Sequence, residues 1–141
     1  MNISSIFDKE NNREVLRPGE KANVLQAFED KPHNYDAWDI NIYYQEKVWE
    51  VTNVENVEII ECGNVITTIG ISRKFCDSLI TQKISIYNNI PRIDFNTVID
   101  WKETQVLLKV AFPVDIHSDK AVYEIQYGNV ERPTHWNTSW D

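Results

Sequence analysis

Cysteine and histidine are scarce in this sequence, and their spacing excludes several classes of site. Cys62 and Cys76 are the only cysteines in 141 residues, and they have no CxxC spacing, so they form neither a disulfide framework nor a metal or redox motif. We expect both to be reduced residues of strands or of the core. His33, His117 and His135 are dispersed without HxH or HExxH spacing. The sequence therefore argues against a zinc site built from this chain alone.

The sequence also lacks a basic stripe, a long apolar run and the marks of a secretory signal. Its net charge of −8 repels phosphate backbones and anionic membranes, which argues against nucleic-acid binding. No apolar run approaches the roughly 20 residues that span a bilayer. Residues 1–10 have neither a basic n-region nor an apolar h-region, and we therefore expect a cytoplasmic protein. A Gly-rich phosphate loop and a G-x-S-x-G elbow are missing as well.

What the chain does contain is the composition of a folded, aromatic-rich domain. Hydrophobic residues make up 42% and charged residues 26% of the sequence, which is the balance of an ordinary globular protein. Five Trp, six Tyr and five Phe suit either a sheet core or a surface that stacks on sugars. The length fits one domain, residues 1–141, or a piece of a larger one.

Apolar and polar residues alternate with period 2 from about residue 62 onward, which predicts half-buried β-strands. Turn residues separate the runs at Cys62-Gly63-Asn64, Asn88-Asn89, 113–119 and Gly128-Asn129. Short connections of this kind favour an antiparallel sheet in a β-sandwich or barrel. The predicted strands cover residues 65–71, 80–86, 93–101, 106–112 and 121–127.

The first 60 residues are less regular. Residues 24–28 predict one short strand. The stretch 36–50 is ambiguous, because Trp38, Ile40, Ile42 and Tyr44 alternate while its length also suits a helical turn.

A polar and aromatic cluster lies at residues 29–39. Asp36 and Asp39 flank Trp38, and such a group suits a sugar site, because carboxylates accept hydrogen bonds from hydroxyls while an indole covers the apolar face of the ring. In the structural interpretation, which we favour from the residues alone, Trp38 anchors the core and the aspartates fix a loop.

A second polar and aromatic cluster lies at residues 131–141. Arg132, His135, Trp136 and Asn137 would form a ligand loop. In the alternative interpretation, which is equally favoured, the side chains of Thr134, Asn137 and Ser139 only form hydrogen bonds to the backbone of a turn.

A third cluster, Asp100-Trp101-Lys102-Glu103, contains the paired carboxylates that glycoside hydrolysis needs. Its position at a strand end beside a lysine favours solvated surface charges over a catalytic pair.

The chain resembles the C-terminal β region of the α-mannosidases of glycoside hydrolase family 38, in the cytosolic, vacuolar and bacterial branch. The matching segments run in family order across nearly the whole chain, and they are specific as a set. They are residues 4–9 (SSIFDK), 13–16 (REVL), 23–32 (NVLQAFEDKP), 35–40 (YDAWDI), 92–95 (RIDF), 100–103 (DWKE), 107–113 (LLKVAFP), 123–128 (YEIQYG) and 132–141 (RPTHWNTSWD).

The resemblance implies a non-catalytic fragment of a retaining exo-α-mannosidase. In the family, the nucleophile and the ligands of a divalent metal, usually zinc, lie in an N-terminal α/β domain that this sequence lacks. The family's C-terminal region is a large super-sandwich resembling galactose mutarotase, and it packs on the catalytic domain and contributes loops to the active-site rim. By this analogy the rim candidates are Asp36, Trp38, Asp39, Arg132, His135, Trp136 and Asn137. No catalytic or metal-binding residue is expected in the fragment itself.

Two further expectations accompany the resemblance, and two alternative functions stay open beside it. The end of the chain at Trp140-Asp141 resembles a cut rather than a natural terminus, and unpaired strand edges should favour self-association of the fragment. The first alternative function is a stand-alone carbohydrate-binding module that uses Trp38, Trp136 or Trp140. The second is a mutarotase-like enzyme with His135 and a carboxylate as acid and base.

Overall fold

The protein is mainly β, and all its strand pairings are antiparallel in the computed structural model, which describes residues 1–36 and 38–135. This confirms the predicted fold class. Within the described residues the strands are β1 (Phe7–Asp8), β2 (Arg13–Glu14), β3 (Val24–Glu29), β4 (Val48–Glu50), β5 (Val54–Cys62), β6 (Ile66–Phe75), β7 (Ser78–Tyr87), β8 (Ile93–Asp100), β9 (Val106–Ala111), β10 (Lys120–Ile125) and β11 (Gly128–Pro133), with a 3-10 helix at Ile42–Glu46.

The larger sheet is a four-stranded meander in the order β5-β6-β7-β8. The alternating runs predicted the last three of these strands correctly. Their pairing brings alternate residues to one face, so that Ile71 lies opposite Gln82 and Ile84 lies opposite Phe95. The alternation identified these strands because one face of the sheet packs on the core and the other faces solvent, so apolar and polar residues alternate along each strand.

Strand β5 was missed by the sequence analysis, and its irregular pairing explains why. Register shifts interrupt its ladder with β6 between Val54 and Asn56 and again between Ile59 and Glu61. Each shift adds a residue and moves the following side chains to the other face. The period-2 pattern is therefore broken twice within nine residues.

The smaller sheet has three strands in the order β4-β3-β9. Strand β3 confirms the strand predicted at residues 24–28. The ambiguous stretch contains both kinds of structure, because the 3-10 helix Ile42–Glu46 precedes β4. Asn41 caps that helix, since its side-chain oxygen accepts a hydrogen bond of 3.0 Å from the backbone N–H of Tyr43.

The hydrophobic core lies between these two sheets, as in a sandwich. Buried Leu25 and Ala27 of β3 and Val51 face Ile80 of β7. Aromatic and aliphatic side chains pack around this centre; they are Phe75, Trp101, Val106 and Leu108. The rings of Phe75 and Trp101 are parallel to within 1°, with centroids 5.9 Å apart.

A buried polar network continues the interface between the sheets. The side chain of Gln82 exchanges two hydrogen bonds of 3.1 Å with Asn23 and donates one of 3.2 Å to Thr97. Arg73, which is fully buried, donates to the same Gln82 oxygen and to the backbone oxygen of Met1. Burial lowers the pKa of Arg73, because removing a guanidinium from water disfavours its charged form.

Strands β10 and β11 form a separate two-stranded sheet. Ile125 pairs with Gly128, so the turn consists of Gln126 and Tyr127, and Tyr127 has a positive φ of 60°. The predicted turn at Gly128-Asn129 is therefore wrong by two positions, and the predicted strand ends before Tyr127. Strand β11 was not predicted, because Val130 is its one branched aliphatic residue and no apolar alternation marks it.

Both cysteines are free and exposed. The expectation of a strand or core residue is confirmed for Cys62, which ends strand β5, and is wrong for Cys76. Cys76 occupies the turn between β6 and β7 with a φ of 49°, because a two-residue connection requires unusual backbone angles there. In the described part of the chain, no helix has the length and apolar character to cross a membrane.

Candidate functional site: two grooves beside the predicted polar and aromatic segments

The first predicted segment is a surface loop between β3 and the 3-10 helix. The carbonyl oxygen of Tyr35 accepts hydrogen bonds from the backbone N–H groups of Trp38 and Asp39, at 2.9 and 3.2 Å. The side chain of Trp38 is 89% exposed. Our preferred structural interpretation of Trp38 as a core anchor is therefore wrong, because a core side chain is buried. Asp36 and Asp39 lie on the same loop, and both are at least partly exposed.

A groove of about 410 Å³ lies between the 3-10 helix and the end of β3. Its polar side is organised by Glu29, which accepts hydrogen bonds from Lys47 at 2.8 Å and Lys31 at 3.0 Å. These two lysines, Lys47 first, lower the pKa of Glu29. The groove is lined by Glu29, Lys31, Asn41, Tyr43, Tyr44, Glu46 and Lys47. This site was not predicted, although Tyr44 belongs to the alternating stretch that begins at Trp38.

Lys109 of β9 fixes the inner wall of this groove. Its ammonium nitrogen donates to the hydroxyl of Tyr44 at 2.8 Å and lies 4.9 Å from the Tyr44 ring centroid. Burial alone would raise the pKa of Tyr44, but the hydrogen bonds from Lys109 and Gln45 outweigh it, and the net pKa is lowered. The Tyr44 ring also meets Phe28 edge to face, with centroids 5.2 Å apart. The 3-10 helix is thereby anchored on the smaller sheet.

The second predicted segment is divided between strand β11 and the residues that follow it. Arg132 belongs to β11, opposite Ala121, so its expected place in a loop is wrong. His135 follows the strand and joins Arg132 in the lining of a groove of about 540 Å³. The structure thus brings these two predicted residues together. The full described lining is Tyr123, Ile125, Val130, Arg132, Pro133, Thr134 and His135.

Thr134 has the backbone role that we had considered for it. Its hydroxyl donates to the carbonyl oxygen of Ser118 at 2.8 Å, and its N–H donates to the carbonyl oxygen of Asp119 at 3.0 Å. These bonds close the base of the hairpin. The predicted site residues Trp136 and Asn137 lie outside the described residues.

The two grooves do not share residues. The loop of Asp36, Trp38 and Asp39 is next to the first groove in the sequence, whereas Arg132 and His135 line the second. Among its described lining residues, the second groove has no carboxylate to act beside His135. That lining offers an aromatic ring and hydrogen-bond donors, which can hold a ligand, but no acid and base pair.

The third cluster has a structural role. One carboxylate oxygen of Glu103 accepts hydrogen bonds from the hydroxyl of Ser78 at 2.9 Å and the N–H of Asp77 at 3.0 Å. Asp100 pairs with Lys102 at 3.3 Å on the exposed surface. The preference for surface charges over a catalytic pair is consistent with this geometry, since Glu103 is engaged in holding the turn between β6 and β7.

Metal ligands do not cluster in the part of the chain that the structure describes. No group of three or more His, Cys, Asp or Glu side chains is placed there to hold an ion.

The known proteins that the chain is similar to all carry the name α-mannosidase. The chain is 38% identical to Alpha-mannosidase G of Dictyostelium discoideum over 99% of its length, which is 13% of that protein. It is 32% identical to human Alpha-mannosidase 2C1, again over 99% of the chain and 14% of the relative. The Alpha-mannosidase of Saccharomyces cerevisiae is 34% identical over 85% of the chain and 12% of its own length. The chain therefore spans about one seventh to one eighth of each of these relatives.

The family model for the C-terminal domain of the glycosyl hydrolases of family 38 matches residues 2–141. This match covers both sheets, both grooves and the hairpin. The chain belongs to glycosyl hydrolase family 38, as part of the C-terminal domain that defines this match.

Proposed function

We propose that this chain is a non-catalytic C-terminal β portion of an α-mannosidase, and that the intact protein hydrolyses terminal α-mannosides. The family match over residues 2–141 carries this proposal. Its support is that the relatives bear the name of α-mannosidases and are seven to eight times longer than the matched segment. In the retaining mechanism, cleavage passes through a covalent glycosyl-enzyme intermediate. The nucleophile and a zinc or other divalent ion would be supplied by a catalytic domain outside this segment.

Within that protein the segment supports the catalytic domain and contributes to the active-site rim. The exposed indole of Trp38 and the two aspartates beside it favour the first loop as one contributor. Arg132 and His135, with Trp136 and Asn137, would form a second. Each segment combines hydrogen-bonding groups with an aromatic side chain, which suits the polar edges and apolar face of a pyranose.

A cytoplasmic location and self-association of the fragment are part of the same proposal. The two free, exposed thiols are the state expected in a reducing compartment. Among the described strands, β5 and β8 each have one unpaired edge in the four-stranded sheet, and such edges template pairing with a second copy. Sedimentation of the 141-residue chain at increasing concentration tests this point, and a concentration-independent monomer would count against it.

The test of the main proposal is the hydrolysis of an aryl α-mannoside in the presence of zinc or cobalt. The full-length protein that contains this segment should hydrolyse the mannoside, and the 141-residue chain alone should not. Turnover by the 141-residue chain would show that its own carboxylates are catalytic. A purified, folded long protein without α-mannosidase activity would refute the proposed identity of the substrate.

A carbohydrate-binding module is the second candidate function, and the exposure of Trp38 favours it. Titration calorimetry of the isolated chain with mannose and with α-linked mannobiose distinguishes the two. Binding that is lost in Trp38→Ala supports the module, and heats equal to those of dilution oppose it.

A further inference from the structure

The hydroxyl of Tyr44, in the first groove, has both of its acceptor positions occupied. The ammonium of Lys109 donates to it at 2.8 Å, and the side-chain amide of Gln45 donates to it at 3.1 Å. A hydroxyl has two acceptor lone pairs and one proton to donate, and among the described residues none accepts that proton. Because Tyr44 lines the groove of about 410 Å³, a ligand there can supply the missing acceptor. A hydroxyl polarised by an ammonium is a strong donor to such a ligand.

The charge around the groove favours an anionic acceptor. Lys31 and Lys47 bind the same carboxylate oxygen of Glu29, at 3.0 and 2.8 Å, so this carboxylate offsets only one of the two ammonium groups. Lys109 adds a further positive charge, and Glu46 is the other carboxylate in the described lining. The local charge is therefore positive, in a chain whose net charge is −8. Since an ammonium has three donors, both lysines on Glu29 keep N–H groups for a ligand.

An aromatic ring lies beside these charges. Tyr43 lines the same groove, and its side chain is 62% exposed. Its backbone N–H donates to the side chain of Asn41 at 3.0 Å, and the next residue, Tyr44, packs edge to face on Phe28. The backbone that carries the exposed ring is thus held in place before any ligand binds. The groove also has the size of a small-molecule site, for which volumes of about 300–1,000 Å³ are usual.

We propose that this groove binds a small sugar that carries a phosphate or carboxylate group. The oxyanion accepts the hydrogen bond of the Tyr44 hydroxyl and further bonds from Lys31 and Lys47, and charge-assisted hydrogen bonds of this kind are stronger than neutral ones. The sugar ring lies against Tyr43. None of these residues is among the rim candidates, so the site goes beyond the proposed function and does not rest on it.

Titration calorimetry of the full-length protein that contains this segment tests the proposal. The probes are glucose 6-phosphate and glucuronate, with glucose as the neutral control. Their gluco configuration separates them from the mannosides of the proposed substrate. At least one of the two anionic sugars should bind roughly tenfold or more tightly than glucose, because it adds charged hydrogen bonds. The probe that binds identifies the anionic group.

Substitutions in the full-length protein locate the binding. Tyr44→Phe keeps the ring and removes the hydroxyl, and it should weaken binding of the anionic sugar roughly tenfold. Lys47→Gln should weaken it as well. Tyr127→Phe is the matched control, because Tyr127 is exposed at the turn of the β10-β11 hairpin, and it should bind like wild type. Circular dichroism of each variant checks that the fold survives.

Nitration of the wild-type protein with tetranitromethane is a second measurement that needs no substitution. Tandem mass spectrometry identifies the modified tyrosines. The bound sugar should slow the nitration of Tyr43 and Tyr44 and leave that of Tyr127 unchanged.

Lack of binding by both anionic sugars would overturn the proposal, and so would equal affinities of wild type and a folded Tyr44→Phe. Nitration of Tyr43 and Tyr44 at the same rates with and without the sugar would do the same. Mannoside hydrolysis is measured separately, so the two proposals fail separately. Binding of an anionic sugar by a protein that hydrolyses no mannoside refutes only the proposed function, and hydrolysis without such binding refutes only the site.

Discussion

Glu103 and Ser78 are joined by a hydrogen bond of 2.9 Å, in which the fully buried Ser78 hydroxyl donates to the carboxylate. The same Ser78 oxygen accepts from the N–H of Lys102 at 2.9 Å. These bonds connect the beginning of β7 to the residues after β8. The carboxylate that had the spacing of a catalytic group is thus part of the frame that closes one end of the core.

Replacing Glu103 should reduce stability more than activity. Glu103→Ala leaves the Ser78 hydroxyl and the Asp77 N–H without their acceptor, and we expect a loss of about 1–3 kcal/mol in the free energy of unfolding. Urea denaturation of the 141-residue chain measures this. Asp100→Ala is the control, because its exposed ion pair with Lys102 should contribute less than about 1 kcal/mol. In the long protein, Glu103→Gln should retain mannoside hydrolysis, and a folded but inactive variant would restore the catalytic interpretation.

Gln82 should be one of the most sensitive positions in the protein. Gln82→Ala removes the partners of Asn23 and of the buried Arg73 guanidinium at once, and we expect a loss of about 2–4 kcal/mol. The neighbouring Thr81 lies on the other face of β7, where Ser72 is 3.5 Å from its hydroxyl. Thr81→Ala should therefore change the free energy of unfolding by less than about 1 kcal/mol. Similar losses in the two variants would contradict the central role of the network.

The N-terminal segment should lose stability in acid through Glu14. A hydrogen bond from Ser5, followed by those from the N–H groups of Leu16 and Ile6, lowers the pKa of Glu14 to about 2 from 4.5. A depressed carboxyl pKa contributes stability that is complete above the unfolded value and disappears as the pH falls through the folded value. The stability difference between wild type and Glu14→Gln should therefore be constant above pH 4.5 and decrease between pH 4.5 and 2.

Denaturation curves of both proteins at several pH values within that range measure this difference. Ser5→Ala should narrow the pH range over which the difference decreases, because it removes the largest cause of the lowered pKa of Glu14. Glu124→Gln, on the separate hairpin, serves as a control for the change in net charge. A difference that stays constant down to pH 2 would show that Glu14 is not responsible.

Trp38 should be dispensable for folding. Because its side chain is 89% exposed, Trp38→Ala should change the free energy of unfolding by less than about 0.5 kcal/mol. If the loop reaches the rim, loss of a stacking contact worth about 0.5–1.5 kcal/mol should raise KM for α-mannobiose roughly twofold to tenfold in the long protein. Val65→Ala, at an exposed position on the β5-β6 turn, should leave KM unchanged. A destabilisation of more than about 2 kcal/mol would indicate that Trp38 is buried after all.

Strands with uninterrupted alternation were predictable, and strands with bulges were not. The pattern at Ile80, Gln82, Ile84 and Ile86 identified β7 because each residue faces the direction that its period-2 position requires. In β5 the same rule fails after Val54 and again after Ile59, where the register shifts. Local patterns carry no information about such shifts, since they arise from how one strand fits against its partner.

The sequence by itself determined the antiparallel β character, the strands with regular alternation and, through its ordered motifs, the resemblance to family 38. Only the tertiary structure decided that Trp38 is exposed, that Glu103 binds Ser78, and that Arg132 and His135 share a groove while Asp36 and Asp39 lie elsewhere. The physical reason is that alternation is a local property of the backbone, whereas burial and side-chain partners depend on which distant surfaces meet. Asn23 and Gln82 are 59 residues apart in the sequence, and only the packing of the two sheets brings their amides together.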